Sequence, residues 1–357
     1  MLPADHFLHP SQLTITEAAN LPDVSFIYVL LYEKDKPVAA AYFQVLQVKE
    51  KHLNIASLKP LQKIGWKAFA FASPKLLVAG HLFRHDVASF YCSENIGMFE
   101  AYQLYKLAID TALSNSCSNA VLVKDTPEAL VPYFQNYAPK YILLRNDISM
   151  EMDIPDTWQS LEDYEKALKH KYAQRFRKIK HAGKDIKVKE LSAKEVRQNK
   201  RKLYELYLQV CERQTARVGY LSEDFLPLLK EYYGESLKVW GMFEDEEMVG
   251  FISAWEKTTA FDMFYIGFDY NRNASLQLYF NILFFSIEQV IRLKKPVLIL
   301  GRTALDAKAR LGCKPRYLST FVYISSRPIR MAVLAMQNRS QQQEGEWEQR
   351  HPLKQSK

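Results

Sequence analysis

A strand running from Asp262 to Asp269 carries two side chains able to move a proton. Period-two alternation puts Asp262, Phe264, Ile266 and Phe268 on one face. Met263, Tyr265, Gly267 and Asp269 take the other. The Tyr265 phenol can protonate a departing thiolate or ribose oxygen, and the Asp269 carboxylate, at the strand end, can act as a base. Each has a plainer structural role open to it: a core tyrosine with a satisfied hydroxyl, or a turn-capping aspartate. The next residues, Tyr270-Asn271-Arg272-Asn273-Ala274-Ser275, read as a polar loop ahead of a helix from about Leu276 to Leu293. Asparagine tolerates left-handed backbone, Arg272 supplies charge, and a helix start offers unpaired N–H groups. Tyr270, Asn271, Arg272, Asn273 and Ser275 are therefore the candidate binding set for the phosphates of a cofactor.

Two further places suit an anion. The segment KHKYAQRFRKIKHAGK, from Lys169 to Lys184, holds seven Lys or Arg residues and no acid. A solvated helix face is the simple reading; a docking surface for a phosphorylated substrate, tRNA or an anionic membrane surface is the functional one. Arg175 and Arg177 are its candidate substrate-binding residues, expected in a cleft between domains. Arg302 follows the apolar strand Val297–Leu300, at the carboxyl end where ligands collect in open α/β sheets. It is the third candidate anion clamp, with Lys308 and Arg310 flanking the next turn and Gly312 a helix C-cap. His81 and His85 are four apart but have no third ligand, so no metal is expected.

These residues need a scaffold, and the same order of elements occurs twice. In the second half, strands Leu237–Phe243 and Met248–Trp255 form a hairpin around Glu244–Glu247. The strand, loop and nearly all-apolar helix described above come next, then Val297–Leu300 and a last strand, Leu318–Ile324. The first half follows suit with Phe26–Tyr32, Val38–Val48, Leu76–Ala79, a helix over Phe99–Leu113, Ala120–Val123 and a closing segment, Tyr141–Met152. Helices over Leu161–His181, Glu195–Arg213 and Glu223–Tyr232 lie between. The expected boundaries are a domain over 1–153, a helical connecting segment over 154–234 packed with the C-terminal domain, a core over 235–330, and a disordered tail over 337–357.

Composition agrees. The 357 residues are 48% hydrophobic and 25% charged, with a net charge of +8, as for an average soluble chain of about two domains. Four cysteines without CxxC spacing suit a reduced, cytoplasmic compartment. The N-terminus lacks a signal-peptide pattern, and Asn281, Ser286, Glu288 and Gln289 interrupt the longest apolar run, so no transmembrane segment is expected. No DNA-binding motif accompanies the basic segment.

Hairpin, strand, loop, buried helix, strand, strand resembles the GNAT acetyltransferase fold. Two such units with a helical insert resemble the FemAB/FemX-type transferases and their bacterial N-acetyltransferase relatives. The resemblance covers roughly residues 24 to 325. It is most specific in FYIGFDYNRNASLQLYFNILFFSIEQVIRL and LILGRTALDAKARLGCKP, through Gly301, Lys308 and Gly312, and in the basic helix through Arg175, Arg177, Ile179 and Ala182. It implies an α/β (α+β) chain of two tandem GNAT-like domains, each a mixed central sheet flanked by helices, the first degenerate. It also implies an N-acyltransferase that carries an acyl or aminoacyl group to an amine, with Lys308 in the active-site region beside Tyr265 and Asp269. The implied donor is acetyl-CoA or another acyl-CoA. The alternatives are aminoacyl-tRNA, in a FemX-like transferase acting on a peptidoglycan precursor, and a non-catalytic ligand-binding protein. The loop over 270–275 departs from the family in having no glycine with which to cradle a diphosphate.

Overall fold

A computed structural model describes residues 8–52, 67, 71, 73–84, 87, 89–144, 147–214, 219–331, 333–334 and 350–354. They fall into two compact units. Unit 1 lies within Met1–Asp147, Gln214–Ser222 and Leu318–Glu344; unit 2 lies within Ile148–Arg213, Glu223–Tyr317 and Gly345–Lys357.

Unit 1 begins with helix α1 (Pro10–Ala18), opened by a proline at its first position and by the His9 ring, which accepts from the Ser11 N–H. Strands β1 (Val24–Glu33) and β2 (Lys36–Gln47) form a hairpin. β3 (Lys75–Ala79), β4 (Phe90–Cys92), helix α2 (Met98–Ser116), β5 (Ala120–Val123), α3 (Val131–Tyr137) and β6 (Ile142–Leu144) follow. α2 lays Tyr105, Ala108, Ile109 and Ala112 over Phe43, Leu77 and Val121 to make the core, the i, i+3, i+4, i+7 stripe of a helix on a sheet.

Unit 2 begins with β7 (Ile148–Asp153). Helices α4 (Leu161–Ala167) and α5 (His170–Ala182) come next, then β8 (Lys187–Glu190), α6 (Ala193–Gln198), α7 (Lys200–Cys211) and α8 (Phe225–Tyr233). The hairpin is β9 (Leu237–Glu244) and β10 (Glu247–Glu256), followed by β11 (Ala260–Phe268). Helices α9 (Tyr270–Leu276) and α10 (Leu278–Arg292) lead to β12 (Val297–Gly301), the short helix α11 (Leu305–Ala309) and β13 (Lys314–Tyr317). The final strand, β14 (Thr320–Ile324), belongs to unit 1.

The two sheets share one plan. The first runs β1-β2-β3-β5-β14-β6, with β4 also on β2; the second runs β9-β10-β11-β12-β7-β13, with β8 added outside β9. In each the third and fourth strands are parallel and every other pairing is antiparallel. The fifth strand of each sheet comes from the other half of the chain: β7 precedes its own sheet in sequence, and β14 closes the first sheet from after the second. The duplication is thus present. The expected boundary at 153, and the assignment of Leu318–Ile324 to the C-terminal core over 235–330, give way to a reciprocal exchange of one strand. Local apolar pattern identifies a strand but carries no information about its ladder partner.

Other differences are local. The helix expected over Leu161–His181 breaks at Leu168–Lys169, and the one over Glu195–Arg213 breaks at Asn199. Strand β8 (KVKE) is exposed at all four positions, so it shows no apolar alternation; charged residues suit its edge position. In the presumed tail, residues 350–354 pack back on the α4–α5 junction, whereas 337–349 and 355–357 lie outside the described residues. His85 lies outside them too. Among the described residues no single helix is long and apolar enough to cross a membrane, and no group of His, Cys, Asp and Glu has metal-site geometry.

The strand exchange makes a direct prediction. A fragment of residues 1–153 lacks β14, so β5 and β6 lose the strand between them, and it carries β7 without a partner. It is expected to show no cooperative thermal unfolding, whereas the full chain does. A fragment that melts cooperatively at a similar temperature would contradict the exchange.

Candidate functional site

The central feature of unit 2 is where its parallel pair opens. β11 and β12 pair at Ala260–Val297, Phe261–Leu298 and Asp262–Ile299. There the ladder stops, although β11 continues to Phe268. On its other edge β11 keeps pairing with β10, but through a register shift between Ile252 and Ala254. The Ser253 hydroxyl fills the gap: it donates to Tyr265 O at 2.8 Å and accepts from Tyr265 N–H at 2.9 Å. This bulge breaks the alternation expected for the strand. Phe264 and Tyr265 both reach the Phe225 ring of α8, each with centroids 6.3 Å away. Met263 and Phe268 turn to α10. Gly267 is the close-approach point: a Cβ there would lie 2.5 Å from the α7 backbone at Leu206 and Tyr207.

Tyr265 is walled by Tyr207, Phe225 and Phe264, and burial raises its phenol well above the ordinary tyrosine value. It stays protonated and so suits an acid, not a base. Asp269 takes the structural alternative. Its carboxylate caps α9 by accepting from the Asn271 N–H at 2.9 Å.

The expected phosphate loop is therefore a helix, and most of its residues are committed. Arg272 is held by Glu244 at 2.7 Å and by Glu247, with Asp269 at 3.8 Å. Three carboxylates around one guanidinium leave no excess positive charge there for a diphosphate. The Tyr270 N–H donates to Gln209 Oε1, and the Arg213 guanidinium covers its ring at 3.7 Å. Asn273 Oδ1 caps α10 through the Tyr279 N–H. Asn271 lies exposed at the start of α9. Ser275 lines a pocket shared with α5.

The excess positive charge is on α5. A pocket of about 400 Å³ is lined by Lys171, Arg175, Lys178, Arg310 and Arg350, with Tyr172 and Gln174 and no carboxylate. A second pocket, of about 320 Å³, shares Arg175 and Lys178. It reaches Ile179, Ala182, Ala274, Ser275 and Gln277, at the break between α9 and α10. Lys171, Arg175 and Lys178 stand at i, i+4, i+7, one face of a helix, while Phe176 and Ile179 are buried on another. Arg175 lies 4.5 Å over the Phe280 ring, and burial, then the neighbouring Arg310, lower its pKa. Arg310 is paired with Asp306 at 2.6 Å. Arg177 points elsewhere, bonding Ala173 O at 3.4 Å and pairing with Glu165 at 3.4 Å. Arg302, half-buried in the bend after β12, lines neither pocket. Helical periodicity alone could have separated Arg175 from Arg177 and found Lys171 and Lys178. Nothing local pointed to Arg350.

Lys308 sits at the end of the opened pair. It is 2% exposed, and its ammonium donates to Leu300 O at 2.6 Å and Gly301 O at 3.1 Å, the last carbonyls of β12. Burial lowers its pKa to about 8, while burial pushes the nearby Cys313 thiol up to about 12.

With the opened strand pair and this strand order in hand, the architecture can be named. The chain has a tandem GNAT-like fold. No protein-family model and no curated protein sequence matches it. Solved structures do. The C-terminal domain of a putative lysylphosphatidylglycerol synthetase from Agrobacterium fabrum aligns at 10% identity and TM-score 0.50, over 86% of this chain and 87% of that one. FemX aligns at 8% identity and TM-score 0.49, over 91% and 98%. A tandem GNAT protein from the clavulanic acid biosynthesis pathway aligns at 10% identity and TM-score 0.47, over 88% and 87%. At these identities the likeness is one of fold.

The buried lysine gives a pH prediction. Its folded pKa, about 8, lies below the ordinary lysine value of 10.5. The unfolded chain therefore binds the extra proton between these values, and stability from this group rises with pH across the window and is lost as pH falls through 8. The size is on the order of 3 kcal/mol. Lys308→Met is expected to flatten this part of the unfolding free energy, measured by urea titrations from pH 7.5 to 10.5 against wild type. An unchanged slope would place the ammonium in water.

Proposed function

We propose that the protein is an N-acyltransferase that moves an acyl or aminoacyl group from a phosphate-bearing carrier to an amine, working in its C-terminal GNAT-like unit. The observation that carries this reading is that the unit in which β11 opens from β12 also holds a pocket lined by five Lys and Arg side chains. The opened strand edge offers backbone groups to an acyl carbonyl and its tetrahedral oxyanion. The phosphates of the carrier lie against α5 at the α9–α10 break, where Arg175 and Lys178 face both pockets. The amine attacks the carbonyl, and the intermediate expels a thiolate or a ribose oxygen that must be protonated. Tyr265, kept in its phenol form, is the acid of this scheme. Lys308, with a pKa near 8, is the group at the strand end able to exchange a proton near neutrality.

Both acyl-CoA and aminoacyl-tRNA carry phosphates. The acid cluster around Arg272 favours the second, because Glu244, Glu247 and Asp269 crowd the place where a glycine-rich loop would cradle the CoA diphosphate. On that reading the acceptor is an amine on a cell-wall precursor, as in the FemX-type resemblance, and the reaction is cytoplasmic.

Calorimetry with acetyl-CoA and with aminoacyl-tRNA tests the site and the carrier together. Arg175→Ala is expected to weaken binding of the true carrier roughly tenfold or more, the worth of a charge-assisted phosphate contact. Arg177→Ala is expected to change it by less than about twofold, as for an exposed ion pair. Equal losses in the two variants would mean that α5 attracts anions without using this pocket. Tight acetyl-CoA binding would return the carrier to acyl-CoA.

A further inference from the structure

Residues 350–354 leave a polar stretch of sequence to run antiparallel beside the α4–α5 junction. The Lys169 N–H donates to Pro352 O and the Lys354 N–H to Ala167 O, both at 2.8 Å, around a Leu168–Leu353 bridge. Pro352 is buried. Leu353 lies over Gly312, where a Cβ would meet its Cδ1 at 3.1 Å and where φ is +107°. This attachment holds the start of the basic helix, since Lys169 is the N-cap of α5. Two residues before Pro352, Arg350 enters the larger cationic pocket, and its Nε shares Asp306, at 3.6 Å, with Arg310.

A segment that only stapled the α4–α5 junction would need Pro352 and Leu353. Asp306 balances only one of the two guanidinia that share it, so placing Arg350 beside Arg310 and near Arg175 leaves an excess of positive charge at the pocket. Like charges brought together cost free energy unless anions balance them, and the single carboxylate of Asp306 does not balance Arg310, Arg350 and Arg175. An anion in the pocket therefore favours the docked segment, and the docked segment favours the anion; the two effects are equal by linkage.

We propose that residues 350–354 are a strap that completes the cationic pocket, with Arg350 as a further phosphate-binding residue and strap docking coupled to polyanion binding. The proposal rests on reading the pocket as the site for the carrier's phosphates.

The test is a calorimetric titration of the full-length protein with inorganic pyrophosphate. Arg350→Ala and Leu353→Ser, the second leaving the arginine present but its anchor lost, are each expected to weaken binding roughly tenfold. The double variant should bind about as weakly as either single one, because both remove the same contact. Arg350→Lys should retain most of the affinity. In hydrogen exchange, pyrophosphate should slow the Lys169 and Lys354 amides in wild type and not in Arg350→Ala, a response that a passive staple would not give. If wild type binds pyrophosphate and Arg350→Ala binds it equally well, the strap proposal fails and the pocket reading stands. If wild type does not bind pyrophosphate, the pocket reading fails and the strap proposal falls with it.

Discussion

The geometry of unit 2 depends on one buried side chain. Asn281, 5% exposed in the first turn of α10, shares its amide N–H groups among Leu276 O at 2.9 Å, Ile179 O at 3.2 Å and Gln277 O at 3.3 Å. Those carbonyls end α9, lie near the end of α5, and sit at the left-handed residue between α9 and α10. Ile179 O and Gln277 O each also accept a backbone N–H, from Gly183 at 3.1 Å and Asn281 at 2.9 Å, whereas Leu276 O ends its helix, where carbonyls lack intrahelical partners and are costly to bury unpaired. One carboxamide therefore fixes three chain segments at one point. It holds the 70° bend between α9 and α10 and keeps the basic helix against it. Gly183, next after α5, is small for the same reason: a Cβ there would lie 2.3 Å from the Asn281 amide nitrogen. Ile179, Ala182, Ala274, Ser275 and Gln277, which line the smaller pocket, all lie within a few residues of this junction.

Charge is then sorted around the junction. At the far end of α9, Asp269, Glu244 and Glu247 surround Arg272, and Glu247 also meets Lys202 at 3.5 Å. On the α5 side the cations have few local acids; Asp306, between Arg310 and Arg350, is the nearest of them. Exposed ion pairs of the first kind contribute little stability, but they cancel the local potential. The uncancelled cations beside Phe280 and Tyr172, partly removed from water, set the field that a phosphate would meet.

What could be read from sequence follows from this physics. Continuous apolar runs such as Val297–Leu300 and the all-round apolar α10 show through their composition, because burial on both sides leaves no polar position. The repeated hairpin–strand–helix–strand order shows for the same reason. The exchange of β7 and β14 does not, because each is an ordinary short strand whose partner is chosen by tertiary contacts. The stretch over 270–275 has the composition of a loop. It becomes helical because Asp269 caps it and Asn273 caps the helix after it, two roles in which a polar side chain helps a helix and does not break it. At the site, Tyr265, Lys308 and Arg175 fall at the opened strands or in the pocket, whereas Arg177 misses by its angle around the helix. Arg350 was hidden because two apolar residues, Pro352 and Leu353, are too few to mark a docked segment.

The two sheets differ at the end of their parallel pairs. In unit 1 the parallel pair stays closed to the end of its strand: β3 and β5 pair from Leu76–Ala120 to Ala79–Val123, and the Lys124 N–H then bonds Ala79 O at 2.9 Å. Gly80 continues the closure at a φ of +134°, so near Lys124 that a Cβ would touch it at 3.0 Å, and His81 beyond is 1% exposed. In unit 2 the same pair opens after three residues, while β11 runs on for six more, held on its far side by the Ser253 bulge. An opened edge exposes backbone donors that a closed ladder consumes. The duplicated plan thus supplies one sealed sheet and one opened sheet, and the opened one is in the unit that carries the cations.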